Sequence, residues 1–316
     1  MLVLTLIAGL IILVIGGDLF VRGAVSIAER LGVSAWLIGL TLVGFGTSTP
    51  ELVTSLQAAF AGSPGVAVGN VVGSNIANIL LILGLAALVS PVIVMKGALK
   101  RDGMVLILSA LACLSAVMMG SLGRPVGLVF LFGLAAYLGL AIWQEGRTGQ
   151  VSAAGIIDAG HRQRSLRGML VPGLLTLAGL AMTIFGASLL IDGAIGLASQ
   201  LGVSETIIGL SIVAVGTSLP ELVTSLMAAI RKQSDVAFGN IVGSNIYNVL
   251  GILGVTALVH PIGVPSQIVA VDIWVMLAAT AALILFAATR HRIGRIEGAL
   301  LAAGYAAYIA WLAAGA

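Results

Sequence analysis

The sequence predicts an all-α membrane protein with ten transmembrane helices, arranged as two inverted-topology five-helix repeats. Of its 316 residues, 59% are hydrophobic and 9% are charged, whereas soluble domains carry roughly 25% charged residues. Apolar runs long enough to cross about 30 Å of hydrocarbon recur along the whole chain. Two polar motifs also occur twice, at an offset of 170 residues. Together these features exclude a water-soluble fold.

Ten apolar runs follow one another along the chain. The first run contains neither Lys nor Arg, so it lacks the basic n-region of a cleavable signal peptide and we expect it to be a permanent span. The predicted spans are residues 2–21, 35–62, 66–89, 103–120, 125–143, 168–198, 205–230, 236–259, 270–289 and 296–314.

The basic residues support this number of spans. When the loops are assigned alternately to two sides, 14 of the 15 Lys and Arg residues fall on one side and Arg124 falls on the other. The positive-inside rule makes the basic side cytoplasmic. We therefore expect both termini outside the cell and a cytoplasmic linker at residues 144–167. Because topology accounts for the positive charge, we expect no nucleic-acid partner.

The chain is an internal duplication. Residues 46–56 (GTSTPELVTSL) match residues 216–226 (GTSLPELVTSL) at 10 of 11 positions, and residues 69–84 match residues 239–254 at 12 of 16. We predict a first five-helix repeat at 1–143 and a second at 168–316, joined by the linker. An odd number of spans inserts the second repeat the opposite way, and transporters of this kind bind their substrates near the bilayer midplane.

Two glutamates lie near the centres of the second and seventh spans, Glu51 and Glu221. A charged side chain there costs about 3 kcal/mol on insertion scales, so it is a functional residue by default. Pro50 and Pro220 precede them, and a proline inside a helix removes a backbone hydrogen bond. We expect each helix to break here and to free upstream carbonyls as oxygen ligands. The carbonyls predicted in this role are those of Gly44 and Ala214.

Other oxygen donors surround these acids at helical spacing. Thr47 and Glu51 are four residues apart, as are Thr217 and Glu221, so each hydroxyl should lie near the carboxylate of its own repeat. In the next spans Ser74 shares a face with Asn78, and Ser244 shares one with Asn248. Such hard oxygen donors suit calcium and sodium. We expect Asn70, Asn75, Asn240 and Asn245 to form interhelical hydrogen bonds or helix caps rather than to bind the ion.

The paired motifs G-T-S-x-P-E and G-N-x-x-G-S-N-I-x-N resemble the two α-repeats of the sodium/calcium exchanger family within the calcium/cation antiporter superfamily. The resemblance covers essentially the whole chain and is to compact prokaryotic members. It implies that Glu51 and Glu221, helped by Thr47 and Thr217, form a central calcium site. It also implies flanking sodium sites formed by Ser48, Ser74, Ser218, Ser244 and the carbonyls of Gly44 and Ala214. Asn78 and Asn248 match the central polar pair, and several relatives have Asp at the second position, so its absence here argues against potassium co-transport.

The resemblance implies an antiporter that exchanges sodium for calcium by alternating access, as spans one and six slide over a fixed core. Its partners would be the transported cations and the lipid bilayer of a prokaryotic inner membrane, with no cofactor. We expect no enzyme, since the sequence has neither a P-loop nor a nucleophile and base at membrane depth. Three alternatives stay open: a calcium/proton antiporter using the same glutamates, a cation channel, and a structural membrane protein.

Overall fold

The chain forms helices of very different lengths. A computed structural model describes residues 2–62, 64–153, 166–200 and 214–315. The first half contains α1 (Leu2–Leu31), α2 (Ala35–Thr47), α3 (Thr49–Phe60), α4 (Gly65–Val89), α5 (Lys96–Met118) and α6 (Arg124–Ala153). The second half contains α7 (Leu166–Gln200), α8 (Ala214–Thr217), α9 (Leu219–Ile230), α10 (Ser234–Val259), α11 (Ile268–Arg290) and α12 (Arg295–Gly315).

These helices confirm the predicted ten-helix fold. Eight of the described helices are long and apolar enough to cross a membrane, and α2 and α9 are shorter apolar helices. The pairs α2 with α3 and α8 with α9 each form one span that is interrupted in its middle. The first part of the predicted seventh span, at 205–213, lies outside the described residues.

Several helices extend beyond the predicted spans. Helix α1 continues to Leu31 past the predicted span end at 21, α5 begins at Lys96 before 103, and α6 continues to Ala153 past 143. The predicted linker at 144–167 therefore begins as helix, and its residues 154–165 lie outside the described part of the chain. Hydropathy marks where the lipid-facing surface ends, but Ala, Leu, Glu and Arg continue a helix beyond that point.

Helices α4 and α10 lie at the centre of the bundle. In their most apolar windows 78% and 83% of the residues are buried, compared with 22% in α1 and 11% in α12. Each contains a π-helical turn, at Asn78–Leu83 and at Asn248–Leu253. Such turns occur often at functional sites, because the extra residue rotates the side chains that follow.

Two short strand pairs join the two repeats. Strand β1 (Val92–Ile93) pairs antiparallel with β4 (Arg292–Ile293), and β2 (Ser121–Leu122) pairs antiparallel with β3 (Ile262–Gly263). The two pairs are copies of one arrangement, because β1 corresponds to β3 and β2 to β4 in the duplication. Each strand therefore finds its partner in the opposite repeat.

Helices α1 and α7 pack against each other through glycines at seven-residue spacing. A Cβ atom at Gly16 would lie 2.5 Å from the backbone nitrogen of Thr183, and one at Gly9 would lie 2.7 Å from that of Leu190. The glycines in this series are Gly9, Gly16 and Gly23 on α1 and Gly179, Gly186 and Gly193 on α7. The absence of side chains at these positions lets the two backbones approach closely, as in other membrane helix pairs.

Candidate cation-binding site

The second and seventh spans break at Ser48 and Ser218, two residues before Pro50 and Pro220. Helix α3 begins at Thr49 with Pro50 in its first turn, where a missing N–H group costs nothing. Glu51 is then the third residue of α3, and Glu221 is the third residue of α9. The breaks place both carboxylates at helix N-termini, where unpaired N–H groups and the helix dipole favour negative charge.

Each carboxylate is bound by the serine of the opposite repeat. The Ser48 hydroxyl donates to Glu221 Oε1 at 2.8 Å, and the Ser218 hydroxyl donates to Glu51 Oε1 at 3.1 Å. Both glutamates are 1% exposed. The two helix breaks therefore meet at the interface of the repeats, as the inverted duplication predicts.

A second pair of contacts holds the glutamate backbones in place. Asn70 donates to the Glu51 carbonyl at 3.1 Å and also to the hydroxyl of Ser55 at 3.0 Å. Asn240 makes the equivalent contacts, to the Glu221 carbonyl at 3.5 Å and to Ser225 at 2.9 Å. These asparagines are interhelical hydrogen-bond donors, as expected. Ser55 and Ser225 were not predicted as site residues, although both lie inside the repeated motif.

Asn78 and Asn248 begin the π-helical turns of α4 and α10, and both side chains are buried. The Asn248 amide donates to Asn75 Oδ1 at 3.0 Å, and Asn75 donates to the Asn245 carbonyl at 3.2 Å. This chain of amides connects the two central helices across the repeat interface. It fixes which way the Asn248 side chain faces.

Four buried oxygen atoms at this centre have no hydrogen-bond donor among the described residues. They are Glu51 Oε2, Glu221 Oε2, Asn78 Oδ1 and Asn248 Oδ1. Leaving a buried acceptor unpaired costs about 1–3 kcal/mol, and more for a charged group. Two carboxylate and two amide oxygens, one of each from each repeat, form the kind of donor set that calcium or sodium takes.

The predicted contact of the Thr47 hydroxyl with the Glu51 carboxylate is wrong. The Thr47 hydroxyl lies 3.0 Å from the Val43 carbonyl and 3.2 Å from Asn240 Oδ1, and its partners do not include the Glu51 carboxylate. The four-residue rule assumes a continuous helix, and the break at Ser48 ends that geometry. Thr217 is buried in the equivalent place at the end of α8.

The remaining predicted residues line the two breaks. The Gly44 carbonyl accepts the Ser48 N–H at 3.2 Å and the Ser244 hydroxyl at 3.1 Å, so it is not fully freed. In the second repeat the Ser218 N–H donates to Val215 at 3.2 Å instead of to Ala214, which is the first residue of α8. Ser74 contacts Ser218 at 3.4 Å between hydroxyl oxygens. All these residues lie on elements that meet at the repeat interface.

The comparison with known proteins identifies the family. The sequence profile described as "Sodium/calcium exchanger protein" matches residues 1–143 and 172–314, nearly all of both repeats. This chain belongs to the sodium/calcium exchanger family. The family consists of membrane transporters rather than enzymes, and the ions it carries are Na⁺ and Ca²⁺.

Several known proteins align with this chain over nearly their full length. The sodium/calcium exchanger MaX1 of Methanosarcina acetivorans is 36% identical, covering 97% of both chains. The inner membrane protein YrbG of Escherichia coli is 35% identical, covering 98% of this chain and 94% of its own length. A solved structure of the sodium-calcium exchanger NCX_Mj, soaked with zero Na⁺ and Ca²⁺, covers 98% of both chains at 34% identity with a TM-score of 0.85. The chain is therefore a multi-pass exchanger with the NCX_Mj fold.

Proposed function

We propose that this protein exchanges sodium for calcium by alternating access, and that Glu51 and Glu221 hold the ions at the repeat interface. One observation carries the proposal: two buried carboxylates meet there, and each keeps one oxygen that receives no hydrogen bond from the described residues. A divalent cation between them would satisfy both oxygens and neutralise both charges.

The charge balance accounts for exchange rather than leakage. With both glutamates ionised, the empty centre carries two negative charges, and moving those charges through a low-dielectric barrier is costly. One Ca²⁺ ion, or at least two Na⁺ ions, would cancel them. The occupied centre can therefore change its exposure more easily than the empty one, and calcium and sodium compete for the same oxygens.

The surrounding oxygens would divide between the two ions. We assign calcium to the glutamates with help from Thr47 and Thr217, and we assign Asn78 and Asn248 to the polar pair beside it. The close contacts of Ser48 and Ser218 with these carboxylates, and of Ser244 with the Gly44 carbonyl, support adjacent sodium positions. The sodium donors proposed here are Ser48, Ser74, Ser218, Ser244 and the carbonyls of Gly44 and Ala214.

Alternating access needs a part of the protein that moves. Helices α1 and α7 are candidates, since they pack on each other through glycines and are far less buried than the central helices α4 and α10. The close backbone contact between α1 and α7 lets the two helices move together as one unit. Sliding of α1 and α7 over the central helices α4 and α10 would expose the glutamates first to one side of the membrane and then to the other.

The test is calcium uptake into proteoliposomes. We expect an outward sodium gradient to drive uptake and an outward proton gradient of equal size to drive little. Glu51→Gln and Glu221→Gln should each abolish sodium-driven uptake, whereas Glu29→Gln, at an exposed position near the end of α1, should not. Uptake driven equally well by protons would favour the calcium/proton antiporter. Current that persists with calcium alone on both sides would favour a channel.

We also propose that the protein lies in the inner membrane of a prokaryotic cell with both termini outside. The distribution of basic residues supports this orientation, and the alignment with an inner membrane protein of Escherichia coli supports the location. Alkaline phosphatase fused after Gly315 should be active in a bacterial host. An inactive fusion that is stably produced would reverse the orientation.

A further inference from the structure

The turn between α11 and α12 is a second copy of the turn between α5 and α6. Gly120 has φ +75° and its carbonyl accepts the Val264 N–H at 3.1 Å, while His291 has φ +50° and its carbonyl accepts the Val94 N–H at 2.8 Å. Both turns continue into a two-residue strand and then into a helix that begins with arginine. The backbone is therefore the same at both places.

The side chains on the two copies differ in charge. Around the first turn Met119 and Ser121 flank Gly120, whereas Arg290 and Arg292 flank His291 at the equivalent positions. With Arg295, the first residue of α12, these arginines line an open cavity of about 450 Å³. This turn therefore carries three arginines, whereas the other copy carries one, Arg124.

These guanidinium groups are available for a ligand. The ion pairs in the described part of the chain involve Arg22, Arg101 and Arg231 instead. Arg295 uses its Nε atom to donate to the Leu88 carbonyl at 3.2 Å, which fixes the side chain at the cavity wall. One acid, Glu297, also lines the cavity, but its Oε2 accepts the Gly294 N–H at 3.1 Å. The lining keeps a net positive charge.

An apolar surface continues directly below the cavity. Ile296 at its edge is 77% exposed, and Leu300, one turn further along α12, is 58% exposed. The cavity lies where α11 ends and α12 begins, so in a membrane this surface faces the acyl chains. A ligand here would combine an anionic group above with a hydrocarbon chain below.

We infer that this cavity binds the phosphate group of an anionic phospholipid, held by Arg290, Arg292 and Arg295 with an acyl chain along Ile296 and Leu300. Free phosphate shares the head-group chemistry but gains nothing from the apolar surface. The positive-inside rule accounts for basic residues at this end of the bundle, but not for a cavity that collects them above an exposed apolar strip. The inference does not depend on which ion drives transport.

Native mass spectrometry of the detergent-purified protein tests this site. Phosphatidylglycerol and phosphatidylcholine are titrated separately into wild type, into Arg290→Gln/Arg292→Gln, and into Arg124→Gln as the control on the other copy of the turn. Each basic group beside an anionic head group gives about a fivefold gain in affinity, so the double variant should bind phosphatidylglycerol on the order of thirtyfold more weakly. Arg124→Gln should bind it as wild type does, with an unchanged melting temperature for all three proteins.

Three results would overturn the inference. The first is equal affinity of wild type for phosphatidylglycerol and phosphatidylcholine, and the second is an equal loss in the double variant and in Arg124→Gln. The third is binding of inorganic phosphate, measured by calorimetry, with an affinity similar to that of phosphatidylglycerol, which would make this a site for the free anion. Retention of phosphatidylglycerol by wild type and Arg124→Gln, with loss in the double variant, supports the lipid site.

Discussion

The carboxylate of Asp18 on α1 forms an ion pair with the guanidinium group of Arg231, which directly follows α9. Asp18 also pairs with Arg22 on its own helix at 2.7 Å. The positions equivalent to Asp18 and Arg231 in the duplication are Ser188 and Ala61, and Ser188 donates to the carbonyl of Ile184 within α7. The bond between a peripheral helix and the broken span thus exists at one end of the molecule and breaks its twofold symmetry.

Removing this ion pair should shift the equilibrium between the two conformations that open the glutamate site to opposite sides of the membrane. A partly exposed pair contributes about 0.2–1 kcal/mol, so Asp18→Asn should change that equilibrium by up to about fivefold. The measurement is the rate of thiol labelling from each side of the membrane, using Val215→Cys in a Cys113→Ala background. Asp192→Asn, an exposed acid on α7, is the control. Identical labelling ratios with and without the Asp18 carboxylate would show that the pair has no such effect.

A side chain on the α1 and α7 surface should slow exchange. The Cβ atom of Gly16→Ala would lie 2.5 Å from the Thr183 nitrogen, so the helices must separate, at a cost of about 1–3 kcal/mol. We expect a lower melting temperature and a reduced maximal rate of sodium-driven calcium uptake. Gly173→Ala on α7 meets no atom within 4 Å and should behave as wild type. Equal rates for the two variants would argue against a mechanism in which α1 and α7 move as one closely packed pair.

The serine contacts across the repeats should affect calcium affinity. Ser48→Ala removes the donor to Glu221 Oε1 and leaves a buried carboxylate oxygen unpaired, a loss of about 1–3 kcal/mol. This corresponds to a change of roughly fivefold to 150-fold in the calcium concentration for half-maximal uptake. Ser115→Ala, at an exposed serine that bonds within α5, provides the control. An unchanged half-maximal concentration in Ser48→Ala would show that the hydroxyl is not needed.

A buried acid away from the centre should affect stability rather than transport. Asp102 is fully buried and accepts hydrogen bonds from Trp36 at 2.7 Å, Tyr137 at 2.9 Å and Arg101 at 2.7 Å. Asp102→Asn removes the charge that accepts these three hydrogen bonds, and a hydrogen bond to a charged group contributes about 1.5–3 kcal/mol. We expect a clearly lower melting temperature and an unchanged uptake rate per folded molecule.

The double variant Arg101→Gln/Asp102→Asn tests how much of this loss comes from the ion pair. It removes the guanidinium along with its partner, so no unpaired charge is left behind, and it should recover part of the lost thermal stability. If the double variant melts below Asp102→Asn, the loss comes from the hydrogen bonds of Trp36 and Tyr137 rather than from the ion pair.

The sequence predicts the repeats, the ten spans and the placing of Glu51 and Glu221, because midplane acids within a duplicated motif have few structural explanations. It does not predict that Ser48 reaches the glutamate of the other repeat, since sequence spacing reports neighbours along one helix and not across an interface. Asp102 was also missed, because from the sequence an acid near the end of an apolar run cannot be told apart from an exposed acid at the end of a membrane span. The helix ends were not predicted, because hydropathy records lipid contact and not helix length.

The strand pairs β1 with β4 and β2 with β3 have a consequence for the origin of the chain. A half-length protein would carry two short strands, and each would find its partner on an oppositely inserted copy of the same protein. We expect such a protein to assemble as an antiparallel homodimer in which each copy pairs its strands with those of the other. Gene fusion would then have joined two subunits that were already interlocked. Separately produced halves of the present chain should likewise reassociate, because each supplies the missing edge of the other.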